Sequence, residues 1–434
     1  MTVSNSTRGV EDTQKPQLGH EVVALVETRE RRHALVVGVA VCVGLFGMLL
    51  AAYARYLEPA RPGVLSAKGF FGFFDQGQYL NIARLLAGGH IPSRSQYTYG
   101  LGYPILAAPF IRLGFHGDPF APVDVLAFGT TLALTFLLGF RAAAKRTLRA
   151  ALFIGLGAAL IVACASPALG LNSQPWNSNV VTPLGLLVLV IATSEREITV
   201  GRSITLGIAV GWIFATRYLD AVFLGLPVLA LFVVRSTKER KRIALFGGLA
   251  LAAVMLPVLA SQQYALGSWL NTPYQFHARK VTGGSDQSVN QYRLQWIPTH
   301  FRGVFITGLL NGRRIPRDPL LRQFPLLVFA PVGAAFIVAE RTRARLVWIA
   351  TVAGSIIGSL FYLSFIAGGA GDLPFGNARY WAPWYPLWAV LAVLGIERLA
   401  RSGVDWLSHN GEGTDAHSRN PRAGPTPPNP TGAP

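Results

Sequence analysis

The sequence predicts an all-α polytopic membrane protein: a transmembrane helical bundle of about ten spans, with an amphipathic helical loop on the outer face after the first span. Three observations predict it. Of the 434 residues, 51% are hydrophobic and only 14% charged, where a soluble domain carries about 25% charged residues. Apolar runs of about 20 residues recur along the chain, separated by short connectors rich in Arg and Lys. Backbone facing lipid must satisfy its own hydrogen bonds, which makes the helix the default spanning element.

A polar segment, residues 1–33, precedes the first span and reads as a cytoplasmic tail, with Arg29, Arg31 and Arg32 of "RERR" against the span. That arrangement suggests an uncleaved signal anchor with its N-terminus inside. The expected spans are 34–53, 122–140, 150–170, 180–193, a pair of short helices within 203–234, then 243–262, 321–339, 346–367 and 382–396. Basic clusters follow the inward spans: Arg141, Lys145, Arg146 and Arg149, then "SEREITVGR", "RSTKERKR", "ERTRAR" and "ERLAR". The stretch 203–234 must be a pair with an outer turn at "ATRYLD", because a single crossing would put "RSTKERKR" outside, against the positive-inside rule. The membrane domain then covers 34–402, with outer loops at 54–120 and 263–319, and the Pro-, Gly- and Asn-rich segment 403–434 is expected to be a disordered cytoplasmic tail. Both termini fall in the cytoplasm. The loop 263–319 is itself basic, through Arg279, Lys280, Arg293, Arg302, Arg313, Arg314 and Arg317. Those charges read as functional or interfacial, unless a further span pair lies near 301–311.

The net charge of +18 does not point to nucleic acid, since most of the basic residues sit in the connectors that orient the spans. Cys42 and Cys164 both lie inside expected spans, which argues against a disulfide or a thiolate metal site. His90, His116, His277 and His300 lack metal-ligand spacing, and neither a phosphate-binding glycine loop nor a dinucleotide fingerprint is present. No metal and no cofactor are expected.

Chemistry is expected just past the first span, in "GFFGFFDQGQYLNIARLLAGGH". Asp75 opens a helical pattern that places Tyr79, Ile82, Ala83 and Leu86 on one face. An Asp there is ordinarily a helix cap. Its place at the outer boundary, beside Phe73, Phe74 and Tyr79, also suits a general base whose pKa burial would raise. Asp220, Asp286 and Asp372 fall on the outer side, where they read as assisting groups or, more commonly, as capping and surface residues. Trp176 in "SQPWNSN" reads as cavity lining or as an interfacial aromatic. His277 and Arg279 in "TPYQFHARKVTGGSDQ" read as an acceptor or phosphate loop, or as a solvated one.

The order of motifs resembles the membrane glycosyltransferases of the GT-C superfamily. The first span, the acidic motif with "YLNIARLLAGG", and "YTYGLGYPILAAPFIRLG" carry the resemblance first. "LGIAVGWIFATRYLDAVFLGLPVLALFVVR" is similar to the paired short helices of the lipid A aminoarabinose transferase and protein mannosyltransferase branches, and "NARYWAPWYPLWAVLAVLGIERL" to their late Arg-Tyr segment. The resemblance covers residues 55–400 in order. It implies an enzyme that uses a polyprenyl-phosphate-linked sugar donor and an envelope glycan, lipid or protein acceptor.

Carried onto this chain, the resemblance makes Asp75 the catalytic acidic position and Arg217, Arg379 and Tyr380 the donor-phosphate group. Gln76 stands where many members have a second acid, which argues against a metal-dependent variant. Arg offers phosphate oxygens a bidentate fork, and a leaving phosphate requires positive charge. Tyr79, Tyr103, Trp176, His277 and Arg279 are the expected substrate groove. The rival readings are a transporter or lipid flippase without catalysis, and a degenerate GT-C-like partner subunit. Against transport, no internal repeat is visible and the candidate charges gather at one boundary.

Overall fold

The structure is a computed structural model that describes residues 15–57, 74–115, 117–143, 145–165, 170, 172–269, 272–273, 292–310, 313–314, 319–340, 342–364 and 378–416. The described chain is helical apart from loops and one two-residue strand pair, Leu309–Leu310 with Arg313–Arg314. The principal helices are α1 (Lys15–Leu57), α2 (Phe74–Ala87), α3 (Gly102–Arg112), α4 (Ala121–Ala142), α5 (Leu148–Cys164), α6 (Ser178–Ala192), α7 (Val200–Thr216), α8 (Tyr218–Val234), α9 (Thr237–Leu266), α10 (Pro325–Ala339), α11 (Arg345–Ser364) and α12 (Tyr385–Ala416). Among the described residues α1 (from Glu30), α4, α9 and α11 are long and apolar enough to cross a membrane. Helices α5, α6, α7, α8 and α10 are apolar but shorter.

A helix stands at each stretch expected to span, although the limits differ. Helix α1 begins well before residue 34, and α12 runs on to Ala416 past the expected start of the tail at 403. Near 301–311 the chain forms short helical turns and the strand pair rather than a further span pair. The stretch 203–234 is broken into α7 and α8 by the single extended residue Arg217, at φ −147° and ψ 97°.

The helix starts follow from local sequence. The Thr147 and Thr199 hydroxyls accept from the amides of Ala150 and Arg202 and cap α5 and α7. Ser236 and Glu239 form a reciprocal capping box at the start of α9. Lipid offers no hydrophobic drive for helix pairing, so close backbone approach at small residues matters. A Cβ at Gly395 of α12 would stand 2.4 Å from the Phe329 carbonyl oxygen, and one at Gly129 of α4 would stand 2.6 Å from that of Gly44 in α1.

The polar contacts divide the bundle into two ends. At one end the connectors meet: Arg146 pairs with Glu397 at 2.8 Å, Arg398 with Glu340 at 2.5 Å, Arg242 with Glu197 at 2.5 Å, and the Ile198 amide donates to Glu239. These are the basic connectors that the sequence places inside. At the other end the start of α2, the loops before α3 and α6, the α7–α8 break, the end of α11 and the start of the 378–381 turn come together.

Candidate active site

Asp75 lies in the first turn of α2, and Arg379 in the helical turn Ala378–Trp381 that precedes α12. The two form an ion pair through Arg379 Nη1 and Asp75 Oδ2. The other carboxylate oxygen, Oδ1, accepts a hydrogen bond from the Tyr99 hydroxyl. Side chains from two distant segments thus engage both oxygens, and a helix cap alone does not describe Asp75. Its observed neighbours are charged and polar, where an apolar enclosure was expected. Phe73 lies outside the described residues.

Arg379 is held by two aromatic rings and by a hydroxyl. Its guanidinium lies 4.7 Å from the Trp176 ring centroid and 5.1 Å from that of Tyr380, a cation–π arrangement strengthened by desolvation. Nη2 donates to the Tyr380 hydroxyl at 3.3 Å. The side chains of Asp75 and Arg379 remain 19% and 13% exposed, so the pair borders the accessible surface rather than the sealed core.

Arg217 lies behind this pair. It is buried, forms an ion pair with Asp220 at 3.0 Å, and donates to the Tyr362 hydroxyl at 3.1 Å and to the backbone carbonyl of Arg379 at 3.0 Å. Tyr362 in turn donates to Asp220 at 2.6 Å and stacks on Tyr380 with ring centroids 4.9 Å apart. The extended residue between α7 and α8 is what aims Arg217 along this path. The expectation that Asp220 is a surface or capping residue is corrected: it is fully buried, because it neutralises Arg217. An unpaired buried charge would be strongly destabilising.

The wall on the other side is built from α2, α3 and the loop 172–177. Gln76 donates to the Gln174 side chain at 3.1 Å, and Asn179 to the Gln174 carbonyl at 2.9 Å. Tyr79 meets Tyr99 and Tyr103 edge-on, with centroids 5.0 and 5.4 Å apart. Tyr79, Tyr103 and Trp176 are all buried. Trp176 reaches Arg379, and Tyr79 links the Tyr99 and Tyr103 rings. His277 and Arg279 lie outside the described residues, as do Asp286 and Asp372.

Below this wall is a cluster that sequence reasoning did not single out. Arg55, at the end of α1, bonds to Asp118 at 2.5 and 3.1 Å, to Asp124 at 2.6 Å and to the Asn172 carbonyl at 3.2 Å. The Tyr103 hydroxyl donates to Asp124 at 2.9 Å. Burial first, and the Asp124 carboxylate second, push the Tyr103 phenol well above its ordinary pKa, so it stays a neutral donor. The available signal was Asp124 itself, an acid at the start of an apolar span, which requires a partner. Tyr99 was likewise passed over, although it lies in the quoted "YTYGLGYP" motif.

No family profile matches the sequence and no curated protein matches it. Solved structures do. The structure of ArnT from Cupriavidus metallidurans bound to undecaprenyl phosphate matches at 16% identity with a TM-score of 0.48, over 84% of this chain and 60% of that one. The apo structure of the same protein matches at 16% identity with a TM-score of 0.37, over 86% of this chain and 78% of that one. This chain therefore spans about three fifths of the first match. Neither likeness assigns a role to a residue here.

Proposed function

We propose that the chain is an integral-membrane, inverting glycosyltransferase. It moves a sugar from a polyprenyl-phosphate donor to an envelope glycan, lipid or protein acceptor at the outer face of the cytoplasmic membrane. The ten helices at the expected spans then each cross the bilayer, with both termini and the Arg146–Glu397 end in the cytoplasm.

The observation that carries the proposal is the meeting of Asp75 and Arg379, two charged residues of the motif set with complementary chemical tasks. Asp75 takes the proton of the acceptor hydroxyl as its oxygen attacks the anomeric carbon. The bond from that carbon to the phosphate oxygen breaks, and its electron pair leaves with the polyprenyl phosphate. Arg379, with Tyr380 beside it, holds the negative charge that develops there. A single displacement inverts the anomeric carbon. Arg217, expected beside Arg379 in the donor-phosphate group, is buried and engaged by Asp220, Tyr362 and the Arg379 carbonyl; its part here is to fix the Arg379 backbone, with Asp220 keeping it charged and in place.

The test is mass spectrometry of envelope glycans and lipid-linked sugars from cells with and without the protein. Loss of one glycan substituent together with accumulation of a polyprenyl-phosphate sugar is expected. Unchanged glycans and lipid-linked sugars would contradict the proposal.

A further inference from the structure

The reaction above gives Asp75 and Arg379 different tasks, yet the structure pairs them. Arg379 Nη1 is engaged by Asp75 Oδ2, and Oδ1 by the Tyr99 hydroxyl. In this state the base is neutralised and the guanidinium edge facing it is occupied. The guanidinium carbon of Arg379 also lies 4.7 and 5.1 Å from the Trp176 and Tyr380 ring centroids, contacts separate from the Nη1 bond to Asp75. Such contacts persist while the edge changes partner. A phosphate offers several oxygens to the guanidinium fork and competes well with one carboxylate oxygen.

We propose that Arg379 exchanges partners during the reaction: the donor phosphate draws it from Oδ2 of Asp75, while Tyr99 keeps Oδ1 and leaves Oδ2 as the base oxygen. This rests on the function proposed above and adds an order to it. Donor binds first, because only then is Oδ2 free. The acceptor hydroxyl proton passes to Oδ2, the new carbon–oxygen bond forms, and the bond to phosphate breaks onto an oxygen already held by Arg379. Before donor arrives, the blocked base cannot activate water or an acceptor. Tyr99 is a positioning residue, since it acts through Asp75.

Competition for one guanidinium is reciprocal, and this gives a sharp test. Full-length protein in lipid nanodiscs is titrated with a short-chain polyprenyl phosphate, and with the matching polyprenol as the uncharged control. Wild type should prefer the phosphate, and Asp75→Asn should bind it tighter still, by at least about 5-fold, the low end of usual coupling. Adding Arg379→Ala should abolish that gain. Tyr99→Phe leaves both charges in place and should not produce the gain. Its effect should appear instead in the Asp75 carboxylate stretch, isolated by infrared difference against Asp75→Asn. That band should shift when phosphate is added to wild type, and should start from a different position in Tyr99→Phe.

Phosphate preference without any gain in Asp75→Asn would overturn the exchange and leave the function standing. No preference for phosphate over polyprenol in either protein would overturn the function, and the exchange with it. Identical Asp75 bands in Tyr99→Phe and wild type would remove Tyr99 from the mechanism.

Discussion

The guanidinium of Arg217 donates to the backbone carbonyl of Arg379 at 3.0 Å, across 162 positions of sequence. One arginine thus fixes the main chain from which the other projects. Through Asp220 and Tyr362 the same guanidinium ties the α7–α8 break to the end of α11.

This arrangement separates the two arginines experimentally. Arg217→Lys keeps the charge beside Asp220 but cannot reach Asp220, Tyr362 and the Arg379 carbonyl with one point charge. We expect it to lower transfer while leaving the protein folded. Asp220→Ala instead strands a buried guanidinium and should destabilise the fold by about 3–5 kcal/mol. Thermal unfolding in detergent alongside transfer rates checks both. Equal melting of Asp220→Ala and wild type would refute the buried pair.

Arg379→Ala should weaken donor use more than Arg379→Lys does, and Lys should restore only part of it, because an ammonium lacks the planar fork and stacks less well on Trp176 and Tyr380. Donor titration of the three proteins decides the matter. Full activity of the Ala variant would remove Arg379 from the site.

The Arg55 cluster yields a stability contrast. Arg55 is buried between Asp118 and Asp124, so Arg55→Met leaves two carboxylates without their shared cation and should cost about 3–5 kcal/mol. Arg242 pairs with Glu197, which is 59% exposed, and Arg242→Met should cost about 1 kcal/mol or less. Comparable melting of the two variants would show that the Arg55 cluster is well hydrated.

Orientation is tested by cysteine reporters in a background lacking Cys42 and Cys164, both of which are exposed. Reporters at the exposed His90 should label from outside intact cells, and those at Thr147 and Thr237 only after permeabilisation. Outside labelling at Thr237 would reverse the end assigned to Arg217 and Asp75.

The places of the helices were legible because apolar runs and basic connectors record lipid and sidedness directly in composition. Even the break at Arg217 followed from charge parity. The partners of Asp75 were not legible in the same way. A carboxylate after a first span reads equally as a cap or a base, and its ion pair lies 304 positions away, beyond any local pattern. Asp220 was misjudged although half of its pairing is local: Arg217 stands three residues before it in "ATRYLD", and only Tyr362, 142 positions on, is out of reach of a local pattern. The burial of Tyr103 and Trp176 depends on how α3 and the loop 172–177 pack against α2 and α4, which periodicity does not encode.

The central claim is that Asp75 is the base, and one substitution tests it most directly. Asn caps a helix about as well as Asp but cannot accept a proton. Purified Asp75→Asn should stay folded and still hold polyprenyl phosphate, while transfer from the lipid-linked sugar identified by the glycan comparison falls by at least about 100-fold. Transfer within a few-fold of wild type would return Asp75 to a structural role and leave the Asp75–Arg379 pair without its proposed chemistry.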